Sequence, residues 1–141
     1  MRLIPYLNFD GQCREAFDFY AKALGGQLIG PPMTYGESPM AAQCAAGSEN
    51  RIMHAQIDAD GATLMGADAP PGMAQPGSAT VVNVDVKTVE EAERIFAALA
   101  EGGQVHMPMA ETFWAKRWGM LIDRYGKPWM VNCMMQPDGA A

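Results

Sequence analysis

The sequence is short of positive charge, histidine, paired cysteine and long apolar runs, and each shortage closes off a class of function. Ten Lys and Arg stand against sixteen Asp and Glu, a formal net charge of −6. Binding nucleic acid takes a basic stripe that displaces counterions from phosphates, so this balance argues against a nucleic-acid partner. A neutral or small ligand stays open. The three cysteines, Cys13, Cys44 and Cys133, are odd in number and lack any short paired spacing. They fit reduced thiols better than a disulfide frame or a zinc site. Cys13 falls where a helix is expected to begin, a position that can depress a thiol pKa. With no histidine close in sequence, it is taken as an ordinary structural cysteine. No run of about 18 apolar residues is present, which excludes a membrane-spanning helix. Met1-Arg2-Leu3-Ile4-Pro5 also breaks too early for a secretory apolar segment. The expectation is a soluble, cytoplasmic protein. Nothing forms a Ser/His/Asp triad or a phosphate-cradling loop: Gly25-Gly26 closes a helix, whereas a nucleotide fingerprint opens one.

What the sequence does hold is pattern. Its 141 residues suffice for one domain built from two small halves. Leu3 to Phe9 alternates as a strand does, and Asp10 can cap a helix whose apolar positions Ala16, Phe17, Tyr20, Ala21 and Leu24 share one face. Gly25-Gly26 ends it. Gln27 to Gly30 starts a second strand, and the aperiodic stretch from Pro31 to Arg51 is expected to be a long loop. Ile52 to Ile57 and Ala62 to Gly66 make a hairpin around Asp58-Ala59-Asp60-Gly61. Residues 69–78 are a linker by composition. Thr80 to Val86 is a further strand, after which Thr88 and Glu91 set a capping box. The helix it opens runs through Ala92, Ile95, Phe96 and Leu99 to Gly102-Gly103. Gln104 to Met109, Lys116 to Asp123 and Pro128 to Met134 supply three more strands. All three tryptophans lie between Thr112 and Asn132, on two apolar runs joined at Tyr125-Gly126-Lys127-Pro128.

The two halves repeat each other. Leu7-Asn8-Phe9-Asp10 matches Val82-Asn83-Val84-Asp85, and Gly25-Gly26-Gln27-Leu28 matches Gly102-Gly103-Gln104-Val105 at a slightly wider separation. Ile57-Asp58 through Met65 matches Ile122-Asp123 through Met130 at a clearly narrower one. The narrowing after the glycine pairs puts about a dozen extra residues of the first copy in the stretch from Pro31 to Arg51. This alignment pairs His54 with Gly119 and Met53 with Trp118. The expected fold is α+β: two tandem βαβββ modules, residues 1–68 and 79–135, joined by the linker into a single domain with a cup-shaped mixed β-sheet.

This plan, with Phe19-Tyr20 before Leu24-Gly25, resembles the vicinal oxygen chelate superfamily, the glyoxalase/bleomycin resistance/dioxygenase fold. Pro5-Tyr6-Leu7 with Arg14-Glu15-Ala16-Phe17, then Met53-His54-Ala55, Phe113-Trp114, Trp118-Gly119, Asp123, Tyr125-Gly126 and Trp129 resembles its PhnB-like branch. Members of that branch often carry a demethylubiquinone methyltransferase label, for which no dinucleotide-type or methyl-donor glycine motif appears here. The resemblance implies a homodimer with a site inside each cup. In metal-dependent relatives, His, Gln or Glu on the first and last strands of each module hold the ion. Those positions fall here at Pro5, near Ala79, and at Met65 and Met130. Neither they nor their immediate neighbours include the His, Asp or Glu that a borderline or hard divalent ion takes. The expectation is therefore no metal and no cofactor.

The chain is expected to bind a small, partly aromatic molecule in an apolar cup, with Tyr6, Met65, Phe113, Trp114, Arg117 and Met130 as ligand contacts. Arg117 stands between Trp114 and Trp118, where a guanidinium can stack on an indole or grip an anion. Its alternative is a solvated edge-strand arginine. His54 is the candidate catalytic group, a general base for a glyoxalase- or dioxygenase-like enzyme. Its alternative is a strand histidine hydrogen-bonded in the core. A third function class is a drug-sequestering resistance protein. Trp129 should serve the core, Asn8 and Asn83 should match at the strand-to-helix corners, and His106 is given no role.

Overall fold

Cys13, Ala16, Phe17, Tyr20 and Ala23 recur at helical spacing and form the buried stripe of α1 (Cys13–Leu24). This helix follows β1 (Tyr6–Phe9) and precedes the short strands β2 (Gln27–Leu28) and β3 (Met33–Thr34), then the hairpin β4 (Ile52–Ala59) and β5 (Ala62–Asp68). The second half holds β6 (Val82–Asp85), α2 (Val89–Ala100), β7 (Gln104–Ala110), β8 (Ala115–Ile122) and β9 (Pro128–Met134). The structure, a computed structural model, describes residues 1–77 and 80–135. It divides into two units, Met1–Gln75 and Pro76–Ala141.

Each unit carries its own mixed sheet. The first has the order β1-β5-β4-β2, with β3 also on β4, and the second has β6-β9-β8-β7. β1 lies parallel to β5 and β6 parallel to β9, while the remaining pairs are antiparallel. In both units the helix packs on the long hairpin strands, α1 on β4 and β5, α2 on β8 and β9. One face of each sheet is thereby covered by its helix. The chain is an α+β protein of two βαβββ modules, the first of which carries the short β3 as an additional strand.

The cores follow from the strand alternation. Phe9, Phe17 and Tyr20 meet in module 1 with ring centroids 5.9–6.3 Å apart, and all three are buried. Full burial of one such side chain is worth about 1.5–3 kcal/mol. In module 2 the apolar stripe of α2, Ala92, Ile95, Phe96 and Leu99, is buried as the sequence periodicity predicts. Trp129 is only 1% exposed, and its indole N–H donates to Asp123 Oδ2 at 2.8 Å. That side chain also closes the β8–β9 turn, since its Oδ1 accepts from the N–H groups of Tyr125 and Lys127.

The start of α1 departs from expectation. Asp10 does not cap the helix; the N-cap is Gln12, which makes no side-chain capping bond. Asp68, at the end of β5, supplies the acceptor from far along the chain: its Oδ1 accepts from Gly11 N at 2.9 Å and Cys13 N at 3.0 Å. Its Oδ2 accepts from Ile52 N at 2.9 Å. Asp10 turns outward instead to pair with Arg51 at 2.8 Å. In α2 the local cap forms as expected, with Thr88 Oγ1 accepting from Glu91 N. The stretch from 31 to 51 is also more ordered than its lack of period suggests. It contains β3 and a 3-10 turn at Ala41–Gln43, and Tyr35 Oη donates to the Asp68 carbonyl.

A glycine pair follows each helix, at the C-cap itself in α1 and just after the C-cap Glu101 in α2, for the same two reasons. Gly25 and Gly102 are left-handed, with φ of 67° and 75°, a region in which a Cβ is strained. At Gly26 and Gly103 a Cβ would come within 2.8 Å and 2.3 Å of hairpin backbone carbonyls. The first glycine turns the chain; the second lets it press on the hairpin.

Strand pairing corrects the repeat in two places. Met65 lies beside Tyr6, and Met130 beside Asn83, so the separation found at the glycine pairs holds for the first strands as well. Asn8 therefore answers to Asp85, not to Asn83. The β8–β9 turn is one residue longer than its counterpart, because Gln56 pairs with Met65 while Met120 pairs with Met130. His54 then corresponds to Trp118 rather than to Gly119. A one-residue slip changes which sheet face a side chain occupies. By this pairing His54 and Trp118 both lie on the face away from the helix.

Candidate functional site

On the helix-free face of the first sheet, Tyr6, Met65 and Gln56 form one row across β1, β5 and β4. His54, two positions before Gln56, shares their face and has Met33 of β3 as its lateral neighbour. The Tyr6 hydroxyl lies 3.4 Å from His54 Nδ1, with ring centroids 6.1 Å apart. Which group donates depends on the imidazole tautomer. Burial, and after it the nearby Cys13 and Tyr35, push the Tyr6 phenol above its ordinary pKa, so at neutral pH it keeps its proton and can donate it in a hydrogen bond. Three side chains singled out from sequence, Tyr6, His54 and Met65, thus come together although each belongs to a different strand.

The helix-free face of the second sheet carries Met130 in a row with Asn83, Met120 and Met107. The adjacent row is Asp85, Asn132, Trp118 and Ala110. Trp118 therefore stands on the same face as Met130. Trp114 packs edge-on against it at 5.6 Å and against Phe113 at 4.7 Å. The chain there is folded back by Thr112 Oγ1, which accepts from Ala115 N at 3.0 Å. Phe113 is 91% exposed.

Arg117 does not sit between the indoles. Alternation turns it to the helix side, where its Nε pairs with Glu93 of α2 at 3.1 Å. It lines an open cleft of about 520 Å³ with Val89, Glu111, Lys116 and Met135. The two tryptophans meet each other edge to face instead. His106 is exposed on the edge strand β7. Gln56, Asp85 and Asn132 were not singled out as site residues in the sequence, because the face each occupies appears only once the register is known.

Metal-dependent members of the superfamily that the sequence resembles hold an ion at these strand positions, and the donors here do not fit one. Beside Met65 and Met130 stand a phenol and an amide, and the position near Ala79 lies outside the described residues. Among the described residues no group of three or more His, Cys, Asp or Glu gathers. Thioether sulfurs suit soft ions, and a protonated phenol with one neutral amide gives a borderline or hard divalent ion no carboxylate or imidazole at these positions. Cys13 offers no reactive thiolate either. Burial, and then Asp68, push its pKa up to about 12 against the lowering effect of Arg14.

These features define a class first. A glyoxalase/bleomycin resistance protein/dioxygenase family enzyme from Burkholderia phytofirmans PsJN superposes with a TM-score of 0.62 over 94% of this chain and 97% of its own, at 14% identity. At that identity the likeness shows the fold. Within the class, the family described as 3-demethylubiquinone-9 3-methyltransferase matches residues 1–132, and the chain belongs to that PhnB-like family. Protein PA1353 from Pseudomonas aeruginosa is 41% identical with a TM-score of 0.86, covering 96% of this chain and 99% of its own. A putative 3-demethylubiquinone-9 3-methyltransferase, PhnB protein, from Bacillus cereus is 25% identical with a TM-score of 0.77, covering 94% and 99%. No described helix is long and apolar enough to cross a membrane.

Proposed function

We propose that this protein binds a small, partly aromatic molecule against the helix-free faces of its sheets, without a protein-bound metal. The observation that carries this reading is the pairing of soft apolar surface with few polar groups: Met65 and Tyr6 beside His54 and Gln56, and Met130 and Met120 beside Trp118. Methionines adapt to an aromatic ligand and an indole offers it a face, while one or two hydrogen-bonding groups fix orientation. The two modules act as one domain in a cytoplasmic homodimer. Methyl transfer is not proposed, because both glycine pairs close helices rather than cradle a nucleotide. Metal content of the purified protein and a thermal-shift screen across aromatic metabolites test the proposal together. A stoichiometric ion held by Tyr6, Met65, Asn83 or Met130 sinks it.

A second reading is favoured by the Tyr6–His54 contact. A protonated phenol next to an imidazole forms a donor and acceptor pair, and His54 as general base with Tyr6 polarising a carbonyl would serve glyoxalase- or dioxygenase-like chemistry. His54→Ala discriminates: lost turnover in a folded protein supports catalysis, whereas unchanged ligand binding and no turnover in either form support binding alone. A drug-sequestering role is the third reading, and resistance conferred on a sensitive host is its test.

A further inference from the structure

Asn132 is 5% exposed, and on its face of the second sheet it lies between Asp85 of β6 and Trp118 of β8. Its amide N–H donates to Asp85 Oδ1 at 3.2 Å. Its own Oδ1 is buried and accepts no hydrogen bond from any described residue. A buried acceptor left open is uncommon. Here it stands next to a carboxylate whose residue is exposed, and next to an indole. In the two rows described above, Asp85 is the single formal charge among the described residues.

The counterpart positions in the first module are Asn8, Ala67 and His54, so the combination belongs to the second module alone. An anionic ligand would be repelled by Asp85 and offered further acceptors. A group that brings N–H donors and positive charge satisfies the carboxylate by charge and the indole by cation–π attraction, and it satisfies the Asn132 oxygen once that buried atom turns toward it.

We propose that Asp85, Asn132 and Trp118 form the polar end of the ligand site and receive an ammonium group, so that the ligand is an aromatic amine. This rests on the reading that the helix-free faces bind a partly aromatic molecule, and it adds the ligand's charge. Asp85 is the recognising charge, Asn132 holds that carboxylate in place, and the methionine row beside them takes the apolar body.

The test is calorimetric titration at pH 7 with three probes of matched size: 2-phenylethylamine, 2-phenylethanol and phenylacetate. The amine should bind about tenfold or more tightly than the alcohol, equivalent to about 1.4 kcal/mol, and phenylacetate should bind most weakly. Asp85→Asn keeps an oxygen for the Asn132 amide and lies at an exposed position, so the protein stays folded. It should bring the amine to within about twofold of the alcohol. Rising salt should weaken the amine alone in the native protein. If all three probes bind alike, or if Asp85→Asn leaves the preference intact, the ammonium site is overturned while binding to the apolar faces survives. If none binds, both fall.

Discussion

Replacing Asp68 by Asn tests whether the first helix depends on a cap delivered from the far end of its module. In the native chain one carboxylate oxygen accepts the N–H groups of Gly11 and Cys13, and the other accepts that of Ile52. The residue is 2% exposed, so water offers no substitute. An amide keeps one oxygen and presents two N–H groups in place of the other. Either Ile52 N–H or the pair at the helix start then faces a donor. A hydrogen bond to a charged group contributes about 1.5–3 kcal/mol, and a stranded buried donor costs about 1–3 kcal/mol. Losing a negative charge at a helix N-terminus adds about 0.3–1 kcal/mol. The expected loss is about 3–5 kcal/mol, a fall in Tm on the order of 10–20 °C for a chain of this size. Asp10→Asn is the control, because Asp10 holds only a part-exposed ion pair with Arg51, worth less than about 1 kcal/mol. Urea denaturation followed by circular dichroism measures both. If Asp68→Asn stays within about 1 kcal/mol of the native chain, or costs no more than Asp10→Asn, the cap assignment is wrong.

Cys13 and Arg117 supply further tests. The Cys13 thiol has a folded pKa of about 12, above the ordinary value of 9.0, so the folded state retains a proton that the unfolded chain releases. Its contribution is fully present below about pH 9 and is lost as pH rises toward 12, by at most about 1.4 kcal/mol per pH unit. Native protein should therefore lose stability faster than Cys13→Ala between these limits in urea titrations, and Cys44 should react with a thiol reagent well before Cys13. Comparable reaction rates at the two would contradict the burial argument. Arg117→Ala breaks a half-exposed pair with Glu93, for a cost below about 1 kcal/mol. It should leave aromatic-ligand affinity within about twofold by calorimetry. A loss on the order of tenfold would return Arg117 to the ligand site.

The repeat, the two helices with the glycine pairs that follow them and the Thr88 N-cap were legible because each rests on local chemistry. Helical spacing, a φ above zero and a side chain three positions from its partner leave marks within a short stretch. β3 was not legible: a pair of residues is too short to show a period, and Pro31-Pro32 before it suggests a break. The cap on α1 was misassigned because Asp10 is near in sequence while Asp68 is near only in space. Arg117 was misplaced for a similar reason, since its tryptophan neighbours in sequence point to the other side of the strand.

By itself the sequence determined the α+β class, the duplication, the family and the residues Tyr6, His54, Met65 and Met130 as those to watch. Those properties follow from patterns that recur within a strand or a helix turn. Tertiary structure alone decided which of them share a surface. The register of β1 on β5 brings Tyr6 to Met65, and the one-residue difference between the hairpin turns makes Trp118, not Gly119, the counterpart of His54. Pairing of β6, β9 and β8 then sets Asp85, Asn132 and Trp118 in one row. A strand exchanges faces with every single-residue shift, so this information lies in hydrogen-bond register between distant segments and not in any one of them.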